Sequence, residues 1–143
     1  MRKTYCIMIM LMFSGVVIAN AISGIDMEVI KQIESSGNPY AYNSRSNARG
    51  LYQITPICLK EYNNYHLVKY TSEDLYDAEI NYEIANWYLN TRIPQMLKHF
   101  KKPVNVENIL ISYNAGISYV VQNKEIPTET INYLKKYKKR GGY

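Results

Sequence analysis

The stretch IESSGNPYAYNSRSNARGLYQITP, from Ile33 to Pro56, decides how the rest of the chain is read. Just upstream, Ile25, Val29, Ile30 and Ile33 recur at helical spacing and Asp26 falls in the first turn. This pattern predicts a helix over Ile25–Ser35, stopped by Gly37-Asn38-Pro39. Glu34 then sits in the last turn, where the helix dipole disfavours a negative charge. Residues 37–50 are rich in Gly, Ser and Asn and read as loop, with a short hairpin expected near ARGLYQI. Thr55 and Pro56 read as the N-cap and first position of a new helix running to about Tyr62. An acid at the unfavourable end of a helix, beside a long polar loop, is either a solvated charge or a group kept for chemistry.

Downstream the chain reads as helical. Residues 63–74 form a polar connection. A long helix is predicted from about Asp77 to His99, with Ile80, Ile84, Trp87, Tyr88 and Ile93 as its apolar stripe. Pro94 is expected to kink or split it. Asn105 is predicted to cap a helix through Asn114, which Gly116 ends or bends. Thr128 is predicted to cap the last helix, with Glu129 in its first turn and Ile131, Leu134 and Tyr137 on one face. There are no internal repeats, and the fold class is mainly α, or α+β with a minor β element.

The chain has 143 residues, which bounds it to one globular domain with enough apolar material (47%) for a core. Its first residues read MRKTYCIMIMLMFSGVVIANA. Arg2 and Lys3 precede an apolar run from Tyr5 to Ile18, and Ala19-Asn20-Ala21 places small residues where a signal peptidase cuts. Residues 1–21 are therefore expected to be a secretory signal peptide, the competing reading being a retained anchor. Its removal takes two bases and no acid, so the net charge of +5 becomes +3. A mild positive charge suits an acidic partner or simple solubility. Cys58 then stands alone, which excludes an internal disulfide framework and fits a buried structural thiol. His66 and His99 have no metal-ligand spacing, and there is no phosphate-binding glycine loop or G-x-S-x-G nucleophile motif.

Four short motifs occur in order: Glu34-Ser35, Gly50-Leu51-Tyr52-Gln53, Ser112-Tyr113-Asn114-Ala115-Gly116 and Glu129-Thr130-Ile131-Asn132-Tyr133. Asn38-Pro39, Pro56 and the run DLYDAEIN (Asp74 to Asn81) accompany them. Singly each is weak. In this order they resemble the soluble lytic transglycosylase (SLT) domain, a lysozyme-like, peptidoglycan-cleaving family, over residues 25–140. The resemblance implies a lysozyme-like catalytic domain over 22–143. It departs from the family pattern at Tyr52, where Met is usual, and at Ser112, where Ala is usual. Tyr52 adds a polar tip to what is usually an apolar contact, so an effect on which sugar or peptide stem fits is expected.

The resemblance implies cleavage of the β-1,4 bond between N-acetylmuramic acid and N-acetylglucosamine, with a 1,6-anhydromuramoyl product and no metal or cofactor. Glu34 would be the catalytic acid/base. Gln53 would hold the muramic side of the scissile bond, Tyr113 and Asn114 would wall the cleft, Tyr133 would join the substrate-binding group with its hydroxyl near the catalytic acid, and Ser44 or Asn43 would face the N-acetyl group. Ser35 and Glu129 would support the site from behind, Glu129 being equally readable as a helix-start acid. Most glycosidases use two carboxylates, whereas the motif region around Glu34 offers one. That points to help from the substrate's own N-acetyl group. The other tyrosines could serve as sugar-stacking platforms or as ordinary half-buried residues. The implied partner is the peptidoglycan glycan strand rather than nucleic acid. The chain is expected to be a monomer in the periplasm or cell-wall space, without stable membrane insertion. The biological role implied is that of a wall-opening accessory to a secretion, conjugation or pilus system. The competing readings are a hydrolytic muramidase on the same fold and a peptidoglycan-binding component without turnover.

Overall fold

The first helix begins two residues later than expected: Asp26, read as part of its first turn, is instead its N-cap, its carboxylate accepting from the Val29 amide at 3.1 Å, and α1 runs over Met27–Ser35. The computed structural model describes residues 24–141, so the expected leader over 1–21 lies outside the described residues. Ser36, at φ 53°, and Gly37, at φ 79°, turn the chain out of α1. The hairpin lies slightly upstream of its predicted position. Strand β1 (Tyr42–Asn43) pairs antiparallel with β2 (Ala48–Arg49), with Tyr42 opposite Arg49 and Asn43 opposite Ala48. Arg49 then pairs with Ile54, exchanging backbone bonds of 3.1 and 3.0 Å. Gly50 to Gln53 thus form a tight reversal, closed by Gln53 N–H donating to the Gly50 carbonyl at 3.2 Å. Gln53 itself is left-handed, at φ 51°.

Helix α2, Pro56–His66, starts at the Thr55 cap as predicted. It continues four residues beyond Tyr62, to an exposed Leu67 in left-handed geometry. The polar residues there do not end it because Asn63 bonds both the Tyr70 amide and the Tyr70 carbonyl, folding the next segment back on the helix. A 3-10 turn over Asp74–Tyr76 leads to α3, Ala78–Trp87, capped by Asp77. A π turn over Tyr88–Arg92 then joins α3 to α4, Ile93–His99. The wider turn, with Ile93 N–H bonding the Tyr88 carbonyl, accommodates the donor that Pro94 lacks, so the helix bulges where a kink or split was expected.

Asn105 caps α5 (Val106–Asn114), accepting from Asn108 N–H at 2.8 Å. After Gly116 and the short α6 (Ser118–Val121) comes α7, Thr128–Lys139. Its cap is Pro127, whose fixed φ of −58° sets the entry to the helix, and Thr128 is the first helical residue rather than the predicted cap. Among the described residues the fold is mainly α with a two-stranded sheet, and no helix is long and apolar enough to cross a membrane.

Helix α5 buries Ile109, Leu110, Ile111 and Ser112 and packs on α4, α6, α7 and the π turn. Helix α7 pins both ends of α1. The Tyr137 hydroxyl accepts from the Asp26 amide at 2.8 Å, and the Tyr133 hydroxyl reaches Glu34. The hairpin is locked to α3 by Asn81, which is fully buried. Its amide nitrogen donates to the Arg49 carbonyl (2.9 Å) and the Leu75 carbonyl (2.8 Å), and its oxygen accepts from Tyr52 N–H (2.9 Å). Gly50 lies against this amide at φ 79°, where an added Cβ would come within 2.2 Å of Asn81 Nδ2 and of the Leu75 oxygen. Replacing Asn81 by Ala strands three buried backbone groups. A loss of about 3 kcal/mol or more is expected, read as a fall in the denaturation midpoint. A midpoint within experimental error of the parent's would remove Asn81 from this role.

Candidate active site

Glu34 emerges from the last turn of α1 into a cleft between the hairpin, α2, α5 and α7. The Tyr133 hydroxyl donates to Glu34 Oε1 at 2.9 Å. Burial is the main influence on the carboxyl and raises it from 4.5 to about 7. The Tyr133 hydrogen bond opposes the shift, the negative charge of Glu129 adds to it, and Lys136 pulls the other way. The location at a helix C-terminus works in the same sense as burial. A carboxyl titrating near 7 holds a proton in a large fraction of molecules at neutral pH, as a general acid requires.

The cleft has two lobes that meet at Glu34, Asn43 and Gln53. The deeper lobe, about 510 Å³, is walled by Tyr113, Asn114, Ser112 and Tyr88, with Ile57 and Glu129 at its margin. The shallower lobe, about 560 Å³, is walled by the hairpin residues Tyr42, Ser44 and Arg45 and by Ser35. Gln53 reaches the junction because its strained turn is held from three sides. Ser35 Oγ donates to the Leu51 carbonyl at 2.8 Å, Tyr113 hydroxyl donates to the Tyr52 carbonyl at 2.6 Å, and Asn81 holds the Tyr52 amide. The Gln53 side-chain amide donates to the Gly50 carbonyl (3.0 Å) and the Ala41 carbonyl (3.3 Å), and its oxygen accepts no hydrogen bond from the described residues.

The residues singled out in the sequence come together here. Glu34 and Gln53 lie at the junction, Tyr113, Asn114 and Glu129 in the deeper lobe, and Ser44 and Ser35 in the shallower one. Tyr133 is buried behind Glu34 rather than lining the cleft. Of the two candidates for the N-acetyl group, Asn43 lines both lobes and Ser44 only the shallower. The Asn114 oxygen accepts from buried Thr130 at 2.7 Å, which fixes its orientation from α7. Cys58 lines the deeper lobe but is mostly buried, and burial pushes its thiol well up, so it is no nucleophile. Tyr52 does not line either lobe. It is buried in the core with its ring 5.9 Å from that of Tyr82, so a direct effect on sugar fit is ruled out for its side chain.

Comparisons with known proteins place the chain in a family. The transglycosylase SLT domain family model matches residues 21–136. The chain belongs to this family. The membrane-bound lytic murein transglycosylase E of Buchnera aphidicola subsp. Acyrthosiphon pisum (strain APS) is 32% identical over 117 residues, covering 77% of this chain and 52% of that protein. The protein of the same name from Buchnera aphidicola subsp. Baizongia pistaciae (strain Bp) is 34% identical over 111 residues, covering 72% and 52%. The chain therefore spans about half the length of these curated relatives. No solved structure matches.

Within this SLT domain the residue that sequence reasoning passed over is Asn81. It closes the DLYDAEIN run, and an Asn among apolar positions on a predicted helix is a signal for a buried, fully bonded amide. Thr130 and Tyr88 were also passed over, being indistinguishable by pattern from ordinary packing residues.

The raised Glu34 acidity has a consequence for stability. Because the folded-state value lies above the unfolded one, the folded protein holds more protons between pH 4.5 and about 7, and stability falls as pH rises through that window. Glu34→Gln removes the penalty. The variant should match the parent near pH 4 and exceed it by on the order of 3 kcal/mol at pH 8. Paired thermal denaturation at the two pH values measures this, and equal gains at both would contradict the burial of the carboxyl.

Proposed function

We propose that this SLT domain is an exported lytic transglycosylase of peptidoglycan. It would cleave the β-1,4 bond between N-acetylmuramic acid and N-acetylglucosamine and leave a 1,6-anhydromuramoyl end. The observation that carries this reading is a half-buried Glu34 carboxyl, raised to about 7 and held by Tyr133, at the meeting point of two lobes. The names of the two relatives support murein as the substrate.

In this mechanism protonated Glu34 donates to the glycosidic oxygen as the bond to muramic C1 breaks. The substrate's N-acetyl group stabilises the cation that develops. Glu34, now a carboxylate, takes the proton of the muramic 6-hydroxyl, whose oxygen bonds to C1. One bond is broken and one formed, and the proton lost by Glu34 is returned, so no water is consumed. Tyr133 stabilises the carboxylate between the two proton transfers. Gln53 and Asn114 present polar side chains for the sugar at the cut, and Asn43 or Ser44 faces its N-acetyl group.

The basic start of the chain and its A-N-A step support export to the periplasm or cell-wall space. A domain of this activity would serve as a wall-opening accessory to a secretion, conjugation or pilus system. Hydrolysis by water is the second reading. Glu129 is the observation that favours it, since a second carboxylate lines the deeper lobe.

Glu34→Gln should reduce release of soluble muropeptides from purified peptidoglycan by about a thousandfold. Mass spectrometry of the parent's products should show anhydro-muropeptides. Reducing ends would move the assignment to a muramidase, and binding without release would leave only a wall-binding role. The parent's kcat/KM should fall about tenfold per pH unit above 7, as Glu34 loses its proton. Tyr133→Phe removes a bond that favours the carboxylate, so this alkaline limb should move to higher pH while the rate drops about tenfold. An unmoved limb would place the titration elsewhere.

A further inference from the structure

Tyr42 is a half-exposed aromatic ring (50% exposed) held rigidly at the edge of the shallower lobe. Exposed tyrosines are ordinarily free to turn; this one is fixed at two points. Its hydroxyl donates to Asn47 Oδ1 at 2.8 Å, across the turn of the hairpin. The guanidinium of Arg49, its cross-strand partner, sits 5.3 Å from the ring centroid. Arg49 is itself held, 5.8 Å from the centroid of Tyr76 and 3.7 Å from the Glu73 carboxylate. Tyr42 lines the lobe and Arg49 does not, so the ring separates the cation from the cleft. Other exposed tyrosines, Tyr40, Tyr65 and Tyr82, line neither lobe.

The geometry points to Tyr42 as a sugar-stacking platform, binding a pyranose ring of the glycan strand next to the residue at the cut. Two chemical facts favour a pyranose there. A β-1,4-linked amino sugar presents axial C–H groups on its ring faces, and these pack on an aromatic face through dispersion and weak C–H contacts. A ring already immobilised by a hydrogen bond and a cation loses little freedom when it binds. The remainder of the lobe, with Asn43, Ser44 and Arg45, is polar. It can meet the hydroxyl and acetamido groups at the edge of a sugar whose face rests on Tyr42. This inference rests on the transglycosylase reading for the identity of the strand, but its binding arm does not depend on turnover.

The test uses the full chain with Glu34→Gln as background and chitohexaose, the N-acetylglucosamine hexamer, as probe, with Kd measured by calorimetry. Tyr42→Ala should weaken binding roughly three- to tenfold. Tyr42→Phe and Tyr42→Trp should stay within about twofold of the Tyr42 protein, because each keeps an aromatic face. Tyr42→Leu, which fills the position without a π face, should behave like Ala and guards against a loss that comes from the hairpin unfolding. In the active protein, Tyr42→Ala should raise KM for glycan strands with kcat nearly unchanged. Equal affinity of the Ala and Tyr proteins, or no recovery in Phe and Trp, would overturn the platform. So would absence of hexamer binding by the Tyr42 protein. A parent that binds hexamer through Tyr42 but releases no muropeptide would instead overturn the transglycosylase reading and leave the platform standing.

Discussion

The buried amide of Asn81 is the constraint on which the cleft depends. A single side chain, wholly removed from water, satisfies the Arg49 and Leu75 carbonyls and the Tyr52 amide together. The hairpin is otherwise weak: two short strands cannot hold their own register in water. Asn81 supplies the register from α3, and Gly50 allows the approach because any side chain there would collide with the amide. This joint helps to fix the reversal that brings Gln53 to the junction lined by Glu34 and Asn43. The joint is polar, so it tolerates no partial replacement: an apolar residue leaves buried donors and acceptors without partners.

Glu34 illustrates the opposite principle, a group kept where folding alone would not place it. It lies at a helix C-terminus, beneath a neighbouring acid, in a site that strips its water. Each of these disfavours the charge, and together they outweigh the Tyr133 hydrogen bond that favours it. The fold accepts this cost because the surrounding restraints come from elsewhere: Tyr137 fixes the start of α1, Tyr133 its end, and Ser35 ties the same turn to Leu51. Under the proposed mechanism this carboxyl both gives and takes a proton, for which an acidity near the working pH is suited. The balance of burial against one hydrogen bond sets it there.

Much of this was legible in the sequence because the determinants are local. Thr55 and Asn105 cap helices as their side-chain chemistry predicts, and Asp26 and Asp77, read only as lying at helix starts, prove to be caps as well. The unfavourable placement of Glu34 could be read from the position of Gly37 and Pro39 alone. What could not be read depends on long-range contact. Asn63 extends α2 by bonding a segment seven residues away, and the π turn before Pro94 is one of several ways a helix can absorb a proline. Tyr52 looks like a cleft residue beside Gln53, yet the reversal of the chain between them points its ring into the core. Sequence adjacency gives no warning of such a turn, since neighbouring side chains in a tight reversal face different environments.

The tyrosines divide by environment. Tyr113, Tyr133 and Tyr137 place a hydroxyl on a polar atom of another element: the Tyr52 carbonyl, the Glu34 carboxylate and the Asp26 amide. Phenylalanine would fill the same space without fixing these positions. Burial, followed by the charge of Glu34, pushes Tyr113 and Tyr133 well above their ordinary value. They remain neutral donors throughout the range in which Glu34 titrates. Neither His66 nor His99 lines the cleft. Glu34 is thus the group at the junction of the two lobes whose acidity is raised toward neutrality, and the aromatic hydroxyls of Tyr113 and Tyr133 hold the geometry around it.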